Sequence, residues 1–419
     1  MHPHGAPHAH GEHCAPGCDH DAPPALVPGP LALYIHIPWC VRKCPYCDFN
    51  SHQRPQELPV AEYVAALVRD LEFDLPNVWG RTVHSVFFGG GTPSLFPASA
   101  INDILAACSA RLRFAPGAEV TLECNPGTAE FDRFEGYRAA GVNRLSFGVQ
   151  SFDDGCLRAL GRIHDSGEAE RAVKLAQDAG LDNLNIDLMY ALPNQTMAMA
   201  LHDVERAVAL QPAHLSHYHL TMEPNTVFAA RPPEGLPDED DAWAMQEACQ
   251  QRVAEAGFGH YEISAYAKPG RQSRHNLNYW TYADYLGIGA GAHGKISFGH
   301  DGRILVAGAA AAASAMGCRR GGKTTDHNLD LVKDQEKAML EGEQADLALS
   351  LRASSRLRLI IGRDPEAGQL GQDKVELAAK LPVVVAGDEG AYAALQALHQ
   401  REEASPSPFG KPPARNIFI

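Results

Sequence analysis

Six β-rich runs, which alternate with helical stretches, fill the chain from residue 31 to residue 224. The runs are LALYIHIP, TVHSVFFGGG, AEVTLECNPG, NRLSFGVQSF, NLNIDLMYALP and HLSHYHLTMEP. Strands that alternate with helices predict a parallel sheet, because parallel neighbours need a long connection between them. Six strand–helix units, where a closed barrel has eight, predict an α/β fold of the partial (β/α)6, TIM-like type with an open side for a large substrate.

The predicted strands end in residues that contribute little to a packed core. These residues are Cys40, the run Gly89–Gly91, Glu123, Gln150, Asp187 and Thr221. In βα barrels the site forms at the carboxyl ends of the strands, so functional side chains are expected there. For Glu123, Gln150 and Asp187, as for Arg162, a strand-end hydrogen bond or a buried ion pair would explain any one residue alone equally well.

Three cysteines, Cys40, Cys44 and Cys47, have the spacing Cys-x3-Cys-x2-Cys. Structural zinc takes four ligands and a redox pair takes two, so three thiols suit neither site well. Three thiolates can bind three irons of a [4Fe–4S] cluster and leave the fourth iron open for a substrate or cofactor. A zinc site with His36 or His52 as the fourth ligand is the alternative interpretation.

The composition limits the partners and the compartment. The formal net charge of −15 argues against nucleic acid as the main partner, because phosphate binding needs a basic surface. No apolar run is long enough for a membrane span, and the start of the chain lacks the apolar core of a secretory signal. The ten cysteines are therefore expected to stay reduced in the cytoplasm, where clustered thiols bind metals or act in catalysis.

Four regions are predicted along the chain. Residues 1–30 are rich in His, Pro, Ala and Gly and are expected to form a disordered tail. Residues 31–265 are expected to form the core barrel, and residues 266–300 a segment that closes it. Residues 301–419 hold three of the 31 aromatic residues and are expected to be poorly folded, with weak helices within residues 330–352.

The motifs YIHIPWCVRKCPYCDF, GGGTPS, LECNPG, RLSFGVQSF and NIDLMYALP resemble those of radical S-adenosylmethionine (SAM) enzymes of the coproporphyrinogen-oxidase-like group. The likeness ends at about residue 298, where divergence or a shifted reading frame would explain the change. The resemblance implies a partial (β/α)6 barrel with a [4Fe–4S] cluster on the three cysteines and SAM on its open iron. By position, it implies SAM contacts from Tyr34, Gly90, Gly91, Thr92, Glu123, Gln150, Arg162 and Asp187. Carboxylates can accept hydrogen bonds from ribose hydroxyls or an ammonium group, and an arginine can hold a carboxylate with two hydrogen bonds.

The group that the chain resembles has two branches of different function. Oxygen-independent coproporphyrinogen III oxidases use SAM radicals to decarboxylate two propionates, and HemW-type haem chaperones deliver haem to apo-proteins such as respiratory enzymes. The oxidases carry a fourth cysteine two residues after the third, where this chain has Phe49. The chaperones carry His-Asn-x-x-Tyr-Trp, and this chain has HNLNYW from His275 to Trp280.

These features favour the haem chaperone, with His275 as an axial ligand of the haem iron. Tyr279 and Trp280 would supply flat apolar surface against the macrocycle. An aromatic loop with His275 hydrogen-bonded to the backbone is the structural alternative. The oxidase is the second functional interpretation, and a non-enzymatic scaffold stabilised by zinc is the third. The oligomeric state and the cleavage of SAM stay open at this point.

Overall fold

The structure is a computed structural model that describes residues 28–128, 131–299, 304–309, 356–361 and 383–386. The predicted tail up to residue 27 and the helices predicted within residues 330–352 lie outside the described residues. Most of the region after residue 300, which the sequence predicts to be poorly folded, also lies outside them.

Fifteen strands and nine helices occur in the described ranges. The strands are β1 Leu31–Ile37, β2 Trp39–Cys40, β3 His52–Gln53, β4 Thr82–Gly90, β5 Arg113–Cys124, β6 Arg144–Gln150, β7 Leu184–Tyr190, β8 His214–His219, β9 Gly259–His260, β10 Ala265–Ala267, β11 Asp284–Ile288, β12 His293–Ser297, β13 Ile304–Ala309, β14 Arg356–Ile361 and β15 Val383–Ala386. The helices are α1 Val60–Asp74, α2 Ala98–Ser109, α3 Phe131–Ala140, α4 Asp154–Ala159, α5 Ser166–Asp178, α6 Met197–Ala209, α7 Val227–Ala230, α8 Glu239–Glu255 and α9 Arg274–Trp280. None of these helices is both long and apolar enough to cross a membrane.

All six predicted β-rich runs form strands, and they lie side by side in chain order as β1, β4, β5, β6, β7 and β8. Each neighbouring pair among these six is parallel. The sheet does not close in the described part of the chain, since β11 lies parallel outside β1 and β10 lies antiparallel outside β8. The predicted α/β fold with a partial barrel is therefore confirmed.

Three short strands beyond residue 300 continue the sheet. β12 pairs antiparallel with β13, β13 pairs antiparallel with β14, and β14 pairs parallel with β15. The sequence predicts only weak helices in this region, so these strands are an addition to the expected fold. They lie at the far edge of the sheet, four or more strands away from the middle of the parallel series.

Buried aliphatic side chains join one face of the sheet to the surrounding helices. Examples are Ile35, Leu122 and Ile186 on the strands and Leu67 and Ile104 on the helices. Complete burial of such a side chain contributes about 1.5–3 kcal/mol. This apolar layer holds the parallel strands in register, and with them the loops that leave their carboxyl ends.

The inner face of the sheet carries polar side chains at every second position. On β5 these are Glu119, Thr121 and Glu123, and on β7 they are Asn185 and Asp187. Because strand side chains alternate between the two faces, residues two apart share one face. The interior of the partial barrel is therefore polar, and its upper part, at the strand ends, forms the candidate site.

Candidate functional site

The loop with the three cysteines follows β1 and is fixed at several points. Cys40 lies in the short strand β2, which pairs in parallel with β3 beyond the loop. The backbone N–H of Thr92, just after β4, donates to the carbonyl of Trp39 at 2.8 Å. The backbone N–H of Cys47 donates to the carbonyl of Cys44 at 3.2 Å, which makes a turn between these cysteines. The loop thus lies against the glycine run at the end of the neighbouring strand.

The three thiols of this loop are partly exposed, whereas the other four cysteines in the described ranges are buried. Burial raises the pKa of the Cys47 thiol to about 11, and hydrogen bonds from the Phe49 backbone and Ser51 oppose that shift. Within the described residues, no three His, Cys, Asp or Glu side chains are assembled as a ready metal-binding group. A cluster bound to this loop would displace the thiol protons, because the thiolate is the ligand.

The two histidines considered as a fourth zinc ligand are both engaged elsewhere. His36 Nε2 donates to the carbonyl of Asn50 at 2.8 Å, and its Nδ1 accepts from the Tyr34 hydroxyl at 3.0 Å. Nε2 of His52 lies 3.0 Å from Oδ1 of Asn50. With both nitrogens in use and 4% of the residue exposed, His36 has no lone pair left for a metal. These contacts argue against His36 as a fourth ligand, and they tie Tyr34 to the cysteine loop.

The glycine run after β4 passes close to β1 and to the cysteine loop. Gly90 has a φ of +110°, and a Cβ at this position would lie 2.6 Å from the His36 ring. A Cβ on Gly91 would lie 2.6 Å from the carbonyl oxygen of Trp39. Thr92 places its hydroxyl within hydrogen-bonding reach of the Cys40 thiol. Close packing against the loop therefore already requires these glycines, whether or not they also contact a ligand.

Two buried carboxyl groups lie near each other at the ends of β5 and β7. Burial and the charge of Asp187 raise the pKa of Glu123 to about 8, and a hydrogen bond from the Gly90 backbone opposes this rise. Asp187 accepts hydrogen bonds from Tyr218 at 2.5 Å, Asn185 at 2.7 Å and Ser146 at 3.2 Å. Three neighbours thus hold Asp187 in place, whereas Glu123 keeps more capacity to accept hydrogen bonds from a ligand.

Gln150 and Arg162 lie together at the end of β6. Gln150 has a φ of +73°, which is uncommon for a residue other than glycine and often marks functional sites. Gln150 Oε1 and Arg162 Nε are buried and have no hydrogen-bond partner among the described residues. Such atoms are expected to be satisfied by a polar ligand or by water. The Nε–H donor of Arg162 and the Oε1 acceptor of Gln150 therefore fit a polar cofactor that carries an anionic group and a donor, bound beside three cysteine thiols.

Thr221 is the predicted strand-end residue that the structure does not bring into this group. It lies beyond the end of β8, and its hydroxyl donates to Oε1 of Glu223 at 2.7 Å. The other residues predicted at the strand ends face the cysteine loop or the polar interior next to it.

The HNLNYW motif forms α9, which packs against the inner parts of β1 and β4 below the strand ends. His275 is 0% exposed, and its Nδ1 lies 3.0 Å from the hydroxyl of Ser85. Its Nε2 is buried without a partner among the described residues, and burial lowers its pKa to about 3. Glu119 Oε1 accepts from the N–H of Arg274 at 2.9 Å, which fixes the start of the helix. Ligation of haem iron by His275 would therefore require α9 to leave the interior.

Several residues that build the site are not among those predicted from the sequence, for example Tyr46, Ser51, Asn185 and Tyr218. The signal for two of them was the spacing of polar residues within strands. Asn185 stands two residues before Asp187, and Tyr218 belongs to the alternating run HLSHYH. Side chains at every second position of a strand share one face of the sheet, so this spacing marks residues on the inner face that lie before the strand ends.

The sequence pattern of the radical SAM superfamily matches residues 34–207 of the chain. The chain is 55% identical over 276 residues to "Heme chaperone HemW" of Escherichia coli (strain K12), which is 66% of this chain and 72% of that protein. It is 53% identical over 273 residues to the protein of the same name from Haemophilus influenzae, covering 64% and 71% respectively. Among solved structures, the coproporphyrinogen III oxidase HemN of Escherichia coli aligns with a TM-score of 0.60 and 26% identity, covering 68% of each chain.

The fold and the cysteine loop, together with these similarities, define a radical SAM protein. The level of identity and the shared length then distinguish the haem chaperones from the coproporphyrinogen III oxidases within that superfamily. The chain belongs to the HemW family. The predicted resemblance to the coproporphyrinogen-oxidase-like group, and to its HemW-type branch, is confirmed.

Proposed function

We propose that the protein is a haem chaperone that holds a [4Fe–4S] cluster and SAM and delivers haem to apo-proteins such as respiratory enzymes. The observation that carries this proposal is the 55% identity, over 276 residues, to a relative named as a haem chaperone. The geometry supports the cofactor part, because three partly exposed thiols share one loop next to unpartnered buried polar groups. A cytoplasmic location is part of the same proposal.

Cys40, Cys44 and Cys47 would hold three irons of the cluster. When bound, the cluster supplies an electron and an open iron to which the amino and carboxylate groups of SAM can bind. Glu123 would accept hydrogen bonds from the ammonium or ribose hydroxyl groups of SAM. The unpartnered Nε of Arg162 points to the binding of a carboxylate.

The remaining predicted SAM contacts support the site from its sides. Tyr34 would lie beside SAM, with its hydroxyl held by His36 at 3.0 Å. Gly90, Gly91 and Thr92 bring the end of β4 and the residues after it against the cysteine loop, where they would contact SAM. The other two contacts, Gln150 and Asp187, flank this space from β6 and β7.

We propose that the protein binds haem, but that His275 is not the axial ligand of the haem iron in the described conformation. The imidazole is 0% exposed, and it contacts Ser85 and Phe87 in the interior. A macrocycle could reach its Nε2 only after α9 moved. Trp280, at the end of the same helix, is 41% exposed and remains available for contact with an apolar ligand.

The second candidate function is that of a coproporphyrinogen III oxidase. The similarity to HemN, at 26% identity and a TM-score of 0.60, favours this candidate as far as the fold is concerned. Phe49 argues against it, because the oxidases resembled by the sequence carry a cysteine at that position. The residue is 41% exposed on the cysteine loop, so a cysteine side chain there would face solvent in the described structure.

The experiment that tests the proposal uses full-length protein reconstituted with iron and sulfide under anaerobic conditions. Cluster content is measured first, then saturable haem binding, haem transfer to a haem-free respiratory apo-protein, and turnover of coproporphyrinogen III with SAM and a reductant. We expect a loaded cluster, haem binding, haem transfer and no decarboxylated product. Decarboxylation would replace the chaperone with the oxidase, and zinc without sulfide in the purified protein would favour the zinc scaffold. A loaded cluster with neither haem binding nor turnover would remove both candidates.

A further inference from the structure

Arg162 is held by its backbone at the end of α4. The N–H of Arg162 donates to the carbonyl of Leu157 at 2.9 Å, and the N–H of Gly161 donates to the carbonyl of Arg158 at 3.0 Å. With Gly161 at a φ of +71°, these bonds form the Schellman motif that closes a helix. The motif fixes the direction in which the Arg162 side chain leaves the backbone, which is toward the cysteine loop.

The guanidinium group of Arg162 is fixed at both of its terminal nitrogens. Nη2 donates to the carbonyl of Gly148 at 2.5 Å, and Nη1 donates to the sulfur of Cys44 at 3.6 Å. A Cβ on Gly148 would lie 3.3 Å from Nη2, so the glycine leaves just enough room for the guanidinium. The contact with the sulfur is therefore part of an anchored arrangement, since the side chain has little freedom to turn away.

Tyr46, within the cysteine loop, completes this arrangement. Its hydroxyl lies within hydrogen-bonding reach of both Cys44 and Arg162. An arginine side chain keeps its positive charge in proteins, so the cation stays beside the Cys44 sulfur. Cys44 thus differs from the other two cysteines of the loop, because a fixed positive charge and a phenol face its sulfur.

The same surroundings would act on a cluster bound through Cys44. A [4Fe–4S] cluster gains one negative charge when it is reduced, and hydrogen bonds to its sulfur ligands are among the factors that set its potential. A fixed, partly buried cation and N–H donor beside one thiolate stabilise the more negative state, because opposite charges attract and a charge-assisted hydrogen bond is strengthened. This pair of residues should therefore make the cluster easier to reduce.

We propose that Arg162, assisted by Tyr46, raises the reduction potential of the cluster through its contact with Cys44. This role rests on the proposed function for the cluster itself and is separate from the SAM contact expected of the same side chain. Arg162 acts here as a positioning and tuning residue, since it reaches the irons only through the Cys44 sulfur.

The test is a reductive titration of the reconstituted full-length protein without SAM, followed by electron paramagnetic resonance of the reduced cluster. Arg162→Met removes the charge and the donors at similar length, and we expect a loss of about tenfold in the ratio of reduced to oxidised cluster at a fixed potential. For a one-electron couple this change corresponds to about 59 mV toward lower potential. Tyr46→Phe, which removes only the hydroxyl, should shift the potential in the same direction by less.

Arg42→Met is the matched control, because it removes one positive charge from the same loop. Arg42 is exposed, and its Nη2 packs against Gly161, where a Cβ would lie 2.9 Å away. We expect the reduction potential of the cluster in Arg42→Met to stay near that of the wild type. Equal shifts in Arg42→Met and Arg162→Met would overturn the proposal, since net charge would then explain both.

If Arg162→Met does not load a cluster, Arg162→Lys is titrated in its place. The lysine keeps the charge but cannot reach both Gly148 and Cys44, so a smaller shift to lower potential is expected. A potential equal to that of the wild type would overturn the proposal. Iron and sulfide assays distinguish failure of the proposed function from failure of the role of Arg162. A wild-type protein that binds no cluster would contradict the proposed function. A loaded cluster whose potential is unchanged in the variants would contradict only the role of Arg162.

Discussion

His275 and Phe87 stack with ring centroids 4.9 Å apart and an interplanar angle of 25°. Phe87 in turn lies next to Tyr34, with centroids 6.3 Å apart. The three rings form a continuous layer beneath the strand ends. A motif that suggests haem ligation from its sequence therefore serves, in this conformation, as the floor of the candidate cofactor site.

We predict that His275→Ala destabilises the protein without weakening haem binding. The substitution leaves a cavity beside Phe87 and an unpaired Ser85 hydroxyl, and such changes lower the free energy of unfolding by about 3 kcal/mol. Haem affinity should change less than twofold, because the imidazole is out of reach of the macrocycle. Denaturant unfolding and a haem titration of the same sample measure both effects.

The control for this variant is Trp280→Ala on the same helix, at a side chain that is 41% exposed. It should cost less stability than His275→Ala, since less buried surface is lost. A tenfold loss of haem affinity in folded His275→Ala, with the cluster spectrum intact, would contradict the prediction. It would mean that α9 opens to let the histidine bind iron.

We predict that Gly161→Ala destabilises the protein and weakens the packing of the cysteine loop against the end of α4. Gly161 has a φ of +71°, and a Cβ there would lie 3.0 Å from Cδ of Pro45 within the loop. The left-handed conformation alone costs alanine about 1–2 kcal/mol. The contact with Pro45 adds to this cost and should also lower the iron and sulfide bound per chain.

Gly270→Ala separates the cost of the left-handed backbone from the contact with Pro45. Gly270 also has a positive φ, of +72°, but a Cβ there would have no neighbouring atom within 4 Å. Thermal unfolding should show a smaller loss for Gly270→Ala than for Gly161→Ala. Iron content should fall only in Gly161→Ala. Equal behaviour of the two variants would mean that Gly161 matters for backbone conformation and not for contact with the loop.

The order and direction of the six central strands followed from the sequence, because apolar runs and helical periods are local signals. The position of β11 did not, since its pairing with β1 joins Leu31 to Asp284 across about 250 residues. Nothing in a local pattern specifies such a contact. The salt bridge of Asp284 with Arg81, together with its hydrogen bonds to Ser297, fixes this strand, and neither partner forms a recognisable motif.

The cysteine loop could be predicted from the sequence, whereas the position of His275 could not. The cysteine spacing located the loop because three thiols in eight residues have few uses. The burial of His275 was not predictable, since buried and exposed positions alternate along α9 and polar side chains occupy both. Burial here depends on Ser85 and Glu119, which lie far away in sequence and contact Nδ1 of His275 and its backbone N–H, respectively.

We predict that Cys44→Ala abolishes the visible absorbance of the iron–sulfur cluster. The variant leaves two of three thiolates, and it also removes the sulfur that Arg162 contacts at 3.6 Å. Cys249→Ala is the matched control, because that thiol is fully buried in the core, away from the cysteine loop. Reconstitution should give the band in Cys249→Ala and not in Cys44→Ala. Survival of the full band in Cys44→Ala would exclude the three-thiolate assignment.

The raised pKa of Glu123 predicts a pH dependence of stability in the ligand-free protein. The ordinary value of 4.5 rises to about 8 in the fold, first through burial and then through the charge of Asp187. Between these two values the folded state keeps a proton that the unfolded state has lost. The free energy of unfolding therefore falls as pH rises through this window and levels off above it. Glu123→Gln, which cannot titrate, should show a smaller fall in melting temperature over the same range, and identical curves would mean that Glu123 is already ionised.

The same proton should control the binding of SAM. SAM carries a sulfonium and an ammonium group, so a charged Glu123 binds it better than a neutral one. SAM affinity of the wild type should therefore rise with pH, by up to about tenfold per unit below the pKa of Glu123. Calorimetric titration of cluster-loaded protein at several pH values measures this slope, with Glu123→Gln as the reference. An affinity that does not vary with pH in the wild type would place the cationic groups of SAM away from Glu123 and leave Asp187 as the nearer carboxylate.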